Sequence, residues 1–328
     1  VHLHLILSGA ANPDREDEAS AVILVFGSIN VDLVVPVRHL PRAGETVLGP
    51  AYSVVAGGKG ANQALAARRA GSQVRMAGAT GTDGFADTAL ALLRSGGVDL
   101  SRVRATQSPT GAAFIAVDAQ GGNLIIVASG ANCGARQADL PDDWLNRDTL
   151  VVLQMEVPVR ENWALVERAR RAGARLLLNC APSGDVPESA LASLDWLVVN
   201  ESEAVDIARS RKLDGSDPVV AARALASAGQ VTVIVTLGDQ GARAFLPGGG
   251  GWRVGTLPIT PVDTTGAGDA FVGAFAAAID RGQDLPSALR YGSVAGGLAC
   301  TLAGAQPSLP MQAAIEGRLA ELPPAAKS

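Results

Sequence analysis

Histidine is nearly missing from this chain. There are three in 328 residues, two of them (His2 and His4) at the very start, so only His39 is left in the body. That shortage argues against a Ser-His-Asp relay and against a histidine-rich zinc site. His39 itself, in a short charged turn before Pro41, reads as a surface residue. Cysteine is scarce as well: Cys133, Cys180 and Cys300 are scattered and odd in number, and match neither a metal spacing nor a disulfide framework. A reducing, cytoplasmic location is expected. Basic charge is not in excess, with 27 Lys and Arg against 32 Asp and Glu, so the footprint of a nucleic-acid binder is lacking. No membrane association is expected either. The apolar start, residues 1–11, is too short to span a bilayer and lacks the cationic opening of a secretory signal. Residues 1–20 are expected to form a poorly ordered extension outside the fold. Chemistry in such a chain must rest on carboxylates, lysine, backbone dipoles and bound ions.

What is present is apolar material: 48% of residues are hydrophobic and only 18% charged, enough for a sizeable core. The pattern predicts strands over 21–27, 74–79, 150–155, 175–179, 196–199 and 231–237. Between and after them it predicts helices over 60–70, 85–95, 159–172, 216–228, 267–280 and 286–302. Alternation of such apolar strands with helices implies a mostly parallel sheet covered on both faces, a Rossmann-like three-layer α/β/α arrangement. Four half-exposed segments, about 32–37, 46–56, 110–117 and 123–128, suit a small separate sheet, and 242–246 with 252–256 suit a late hairpin. The tryptophans Trp144, Trp163 and Trp252 read as packing residues. Ligands of open α/β sheets sit beyond the carboxyl ends of the strands. There the sequence places Asn30, Asp32, Glu156, Asn200 and Gly238.

Two glycine-rich loops carry the chemistry. Val262-Asp263-Thr264-Thr265-Gly266-Ala267-Gly268-Asp269 leads directly into an apolar, Ala-rich run. A helix entered through such a turn aims unpaired N–H groups and the positive end of its dipole at whatever lies in front, which suits a phosphate. Asp269 sits at that mouth, and its position at a helix N-terminus predicts a low pKa. The second loop, Gly57-Gly58-Lys59-Gly60-Ala61-Asn62, also feeds a helix. It is no Walker A loop, since Lys59 is followed by glycine, and no dinucleotide fingerprint.

These loops, together with Gly27-Ser28-Ile29-Asn30-Val31-Asp32, Leu153-Gln154-Met155-Glu156, Asn200-Glu201-Ser202-Glu203, Thr236-Leu237-Gly238 and Gly304-Ala305-Gln306-Pro307-Ser308, resemble the ribokinase (PfkB) family of sugar kinases in order and spacing. The resemblance implies one α/β domain over residues 21–328 with the small sheet as a lid. It implies that Asn30, Asp32, Gly58, Lys59, Gly60, Asn62 and Glu156 hold the sugar and that Asp269 takes the proton of its primary hydroxyl. The backbone of Gly266, Ala267 and Gly268 forms the anion hole. Asn200, Thr236, Leu237, Gly238, Asp239, Gln240, Gly241, Gly268 and Ser293 line the ATP site, Ser293 standing where relatives often have His or Asn. By the same resemblance Mg²⁺ would enter with ATP and be held by Glu203 through water. The resemblance further implies a K⁺ site held by Asp263, Thr265, Ala299, Leu302, Gly304 and Ser308, with Leu302 in place of a basic residue. The implied reaction is phosphorylation of D-ribose at O5 by ATP, in a homodimer paired through its lid strands. Related kinases of 2-deoxyribose, a ketohexose or a nucleoside, and a non-catalytic sensor, are the alternatives. The Lys59 ammonium either orients the sugar or supports its loop.

Overall fold

The computed structural model describes residues 22–328, and the extension expected over 1–20 lies outside them. In chain order the elements are β1 (Val22–Phe26), β2 (Asn30–Pro36), β3 (Ser53–Gly57), α1 (Lys59–Arg69), β4 (Gln73–Thr80), α2 (Gly84–Ser95), β5 (Asp99–Ala105), β6 (Gly111–Val117) and β7 (Asn123–Ala128). The chain continues through β8 (Thr149–Leu153), α3 (Val159–Arg171), β9 (Arg175–Asn179), α4 (Glu188–Leu191), β10 (Trp196–Val199), α5 (Glu201–Ser210), α6 (Pro218–Gly229) and β11 (Thr232–Thr236). It ends with β12 (Ala242–Phe245), β13 (Gly251–Val254), α7 (Ala267–Asp280), α8 (Leu285–Ala299), α9 (Ala305–Ser308), α10 (Gln312–Arg318) and β14 (Ala326–Lys327).

The large sheet runs β14-β13-β12-β11-β10-β9-β8-β1-β4-β5, parallel from β11 to β5 and antiparallel from β11 to β14. Its central strands are apolar on both faces. Ile23 and Val25 enter the core under α1, α2, α7 and α8, while Leu24 and Phe26 enter the one under α3, α5 and α6. The three-layer expectation is therefore met. A second sheet, β3-β2-β6-β7, stands apart, with β2 and β6 parallel and both outer pairings antiparallel.

Some elements differ from expectation. Over 46–52 no strand forms, because Pro50 and Gly49 interrupt the segment and pairing with β2 begins only at Ser53. β5 and α5 were not anticipated. β5 is an edge strand whose exposed positions carry Asp99, Ser101, Arg102 and Arg104, so it lacks an apolar signal. Among the described residues no helix is long and apolar enough to cross a membrane.

One packing contact sets up the site. α1 and α7 approach closely through small side chains: a Cβ at Gly273 would lie 2.5 Å from the Ala66 Cβ and 2.7 Å from the Ala67 nitrogen. One turn before Gly273 lies Asp269, and one turn before Ala66 lie Asn62 and Gln63. The contact thus brings these three side chains together.

Candidate active site

Gly266 enters α7 in the left-handed region, φ +78°, which favours glycine. A Cβ there would also meet the Ala305 Cα at 2.9 Å. The Ala267 N–H turns back to the Thr264 carbonyl at 3.2 Å. Of the expected anion hole, Ala267 is therefore occupied by the turn itself. Gly266, Gly268 and Asp269 keep N–H groups with no acceptor among the described residues.

Asp269 is buried, and both its oxygens are held. Asn62 Nδ2 donates to Oδ2 at 2.8 Å and Gln63 Nε2 to Oδ1 at 2.9 Å. Burial pushes its carboxyl above the ordinary value, and the opposing pull of Lys59, Asn62 and Gln63 is smaller. This corrects the low pKa expected from the helix terminus: desolvation outweighs the dipole. Asn62, placed among sugar ligands by sequence, has the base as its partner, while its Oδ1 is buried and unpaired.

On the other side of Asp269 the loop between β1 and β2 meets the start of α1. Glu156 Oε2 accepts from Ser28 Oγ at 2.6 Å and from the Lys59 N–H at 3.1 Å, tying strand and loop ends together. Gly60 lies against the same turn, its N–H on Ser28 Oγ at 3.2 Å, so it serves close packing rather than facing a ligand. Gly58, at φ +90°, sits over the Asn30 nitrogen. The Asn30 Oδ1 accepts from Asn132 Nδ2 at 2.7 Å, and Asn132 Oδ1 accepts from the Ile29 N–H at 2.9 Å. Asn132, which follows the lid strands on a 3₁₀ turn, carries no motif that marks it in the sequence.

Asp32 is held differently from Asp269. It is 8% exposed, and its carboxylate accepts no hydrogen bond among the described side-chain contacts. A Cβ at Gly57 would lie 2.3–2.4 Å from that carboxylate, so only glycine leaves it room. Burial first, then the charges of Glu156 and Asp269, push its pKa up to about 6, against the lowering pull of Lys59. For Lys59, burial pushes the ammonium down, but Asp269, Glu156, Glu203 and Asp32 outweigh it and leave the pKa raised. A cation among four carboxylates stays charged.

Two adjoining cavities open here, one of them onto Asp269. One, of 560 Å³, is lined by Lys59, Asn179, Asn200, Glu203, Gly266, Gly268 and Asp269. The other, of 580 Å³, is more apolar and is lined by Thr236, Gly238, Asp239, Gly241, Phe271, Ser293 and Cys300. They share Thr236, Gly238, Thr264 and Gly268, so together they form one path ending at the base. Leu237 points into the core and Gln240 lines neither cavity, although both were expected there. Ser293 Oγ is buried on the wall of the larger cavity with no partner. Asn200 and Glu203 form a capping box at the start of α5: Asn200 Oδ1 accepts from the Glu203 N–H at 2.9 Å, and Glu203 Oε2 from the Asn200 N–H at 2.8 Å. The cap holds Glu203 at the cavity rim with its Oε1 free of any described donor.

Asp263 closes the far side of the anion loop. Its carboxylate accepts from the Thr265 N–H at 2.9 Å and the Gly304 N–H at 2.8 Å, pinning two loops together. Burial pushes it up, but these bonds outweigh burial and hold it below the usual carboxylate range. Ser308 is buried, with Oγ on the Ala305 carbonyl at 2.9 Å, and the Leu302 side chain is exposed. His39 pairs with Glu45 on the surface, as expected.

A buried carboxylate between a polar cradle and an anion-binding cavity is the arrangement of a phosphotransferase acting on a hydroxyl. The sequence profile of the pfkB family carbohydrate kinases matches residues 20–312. The chain belongs to this family of carbohydrate kinases. It is 34% identical over 295 residues to the ribokinase of Staphylococcus aureus strain COL, covering 88% of this chain and 96% of the relative. It is also 34% identical over 293 residues to the deoxyribokinase of Salmonella typhi, covering 88% and 95%. The structure of Arabidopsis thaliana ribokinase complexed with ribose and ATP superposes with a TM-score of 0.80 at 31% identity, covering 92% of this carbohydrate kinase and 99% of that chain.

Proposed function

We propose that this carbohydrate kinase transfers the γ-phosphoryl group of ATP to O5 of D-ribose. The observation that carries the reading is Asp269, buried at the meeting point of the Asn30–Asp32–Glu156 cradle and the phosphate cavity. The primary hydroxyl loses its proton to Asp269 as its oxygen bonds to phosphorus. The bond from phosphorus to the bridging oxygen breaks, and ADP leaves. The charge spread over the transferring group is met by the N–H groups of Gly266 and Gly268, with the Lys59 ammonium on the same wall. The relatives include kinases of both ribose and deoxyribose. The Asp32 carboxylate, which has no described hydrogen-bond donor, favours the sugar with more hydroxyls.

Mg²⁺ fits as an ion carried by the nucleotide. No cluster of three or more His, Cys, Asp or Glu able to hold a metal occurs among the described residues, and Glu203 offers one free oxygen at the rim of the phosphate cavity. When bound, it neutralises phosphate charge. K⁺ would be held at the loops joined by Asp263, an anionic carboxylate pinned by the Thr265 and Gly304 N–H groups, with Ser308 and the carbonyls of Thr265, Ala299, Leu302 and Gly304 as the further ligands the family resemblance implies. With its side chain exposed, Leu302 has only a carbonyl to contribute there. Three free cysteines, Cys133 among them at the surface, accord with a reducing cytoplasm.

The test is mass spectrometry of products after incubation with ribose, MgATP and either K⁺ or Na⁺. A pentose phosphate formed mainly with K⁺ is expected. No product from ribose but turnover of deoxyribose, a ketohexose or a nucleoside overturns the substrate, and no ADP from any of them overturns the activity.

The lid leaves Ile125, Ile126, Val127 and Phe114 exposed on β6 and on its edge strand β7. An open apolar edge of this kind favours pairing with a second copy, and we infer a homodimer through the lids. Sedimentation of the wild type as a dimer and of Ile126→Lys as a monomer is expected. A monomeric wild type sinks the inference.

A further inference from the structure

Beneath the base lies a chain of buried amides that substrate binding does not require. Gln63 Nε2 donates to Asp269 Oδ1 and to Asn179 Oδ1, each at 2.9 Å. Gln63 Oε1 accepts from Gln154 Nε2 at 2.8 Å, and Asn179 Nδ2 donates to the Val198 carbonyl at 3.2 Å. The Gln154 backbone carbonyl is in turn held by Asn162 Nδ2 at 2.7 Å. Gln63, Gln154 and Asn162 are fully buried, and Asn179 is 8% exposed where it reaches the phosphate cavity.

The polarity of this chain has one solution. A carboxylate has no proton to donate, so Gln63 must present nitrogen to Asp269. Its oxygen then faces Gln154, which must present nitrogen in turn. The far end carries the consequence: Gln154 Oε1 is buried with no partner, against Gly27, where a Cβ would lie 1.8 Å from it. A protonated Asp269 would meet only donors, Asn62 on one oxygen and Gln63 on the other.

We propose that Gln63, oriented by Gln154 and Asn179, is a positioning residue that fixes the Asp269 carboxylate toward the sugar hydroxyl in its proton-accepting form. The inference rests on Asp269 being the base. Lys59 on α1, Asp32 on β2, Glu156 after β8 and Glu203 on α5 also face Asp269 and act on its charge. None of them is altered by substituting Gln63 or Gln154.

Gln154→Met replaces a side chain that has no contact with Asp269 and removes the donor to Gln63 Oε1, leaving Asn179 alone to oppose a flip of the Gln63 amide when Asp269 is protonated. A flipped Gln63 accepts from, and so favours, protonated Asp269. The expected result is a kcat lower by about tenfold or more, KM values for sugar and ATP within about twofold, and an acid limb of kcat moved to higher pH. Gln63→Leu should show the same signature more strongly. If Gln63→Leu fails to fold, Gln154→Met decides alone. A folded Gln154→Met with lower Tm but an unchanged kcat and limb makes the amide chain merely structural and overturns the proposal. Asp269→Asn, assayed alongside, separates the two readings: if it too keeps its turnover, the base assignment has failed rather than the positioning.

Discussion

Asp269→Asn is expected to lower kcat by about 10²–10⁴ and to move the KM for ATP far less. The carboxylate lines the phosphate cavity, and donors fix both its oxygens, Asn62 at 2.8 Å and Gln63 at 2.9 Å. Burial raises its pKa, which makes it a better base than a solvated aspartate while leaving Lys59 to keep it ionised. Because the deprotonated form does the work, kcat should fall as pH drops through that raised value. An asparagine cannot take the proton, and its own N–H₂ would confront the amides of Asn62 or Gln63. Asp269→Ala, which introduces no such conflict, should therefore lose a comparable amount if the proton is what matters. The remaining rate would come from the N–H groups of Gly266 and Gly268, which neither substitution removes. Near-normal turnover in both variants, measured by ADP release at saturating sugar and ATP, would overturn the assignment.

That raised pKa also marks where the sequence stops being informative. A helix terminus is local, so the start of α7 at Ala267 and its end at Asp280 could be placed from glycines and an unbroken apolar run. Burial is tertiary: the direction of the Asp269 shift depends on α1 packing against α7, and the local dipole argument pointed the wrong way. The same holds for the partners of the base. Gln63 and Gln154 stand inside stretches that drew attention for Asn62 and Glu156, yet their contact joins residues 91 apart and that of Gln63 with Asn179 joins residues 116 apart. Asn200 and Glu203 were legible in type and spacing, but as ligand residues. Their i, i+3 relation is equally the signature of a capping box, and it is this role that the start of α5 shows. β2, β6 and β7 were found from β-branched, half-apolar segments. β5 was lost because an edge strand has no need of an apolar face.

Asp32 should govern both the choice of sugar and its pH dependence. The carboxylate is buried over Gly57 and lacks a described donor, so in the free enzyme it carries a desolvation cost that sugar hydroxyls relieve. A sugar supplying one hydroxyl fewer leaves part of that cost in place, and rejection of 2-deoxyribose relative to ribose can reach about 10⁴-fold in kcat/KM. Asp32→Ala removes the buried charge together with its demand for donors, so both sugars should be used poorly and the ratio between them should collapse. A variant that keeps the wild-type ratio would show that discrimination lies elsewhere. The pH dependence follows from the pKa of about 6, raised by burial and then by Glu156 and Asp269. As pH falls through 6 the carboxylate gains a proton and loses acceptor capacity, so kcat/KM for the sugar should decline toward tenfold per pH unit, and Asp32→Asn should leave only the limb that Asp269 sets. Stability carries the opposite sign. A folded pKa above the unfolded value of 3.8 means that the group's stabilising contribution is fully present below 3.8 and is lost as pH rises through 6. Thermal unfolding should accordingly find Asp32→Asn more stable than the wild type above pH 6, with the difference closing as the pH approaches 4. A difference that stays constant across that range would mean that the carboxylate is not the strained, waiting group its burial describes.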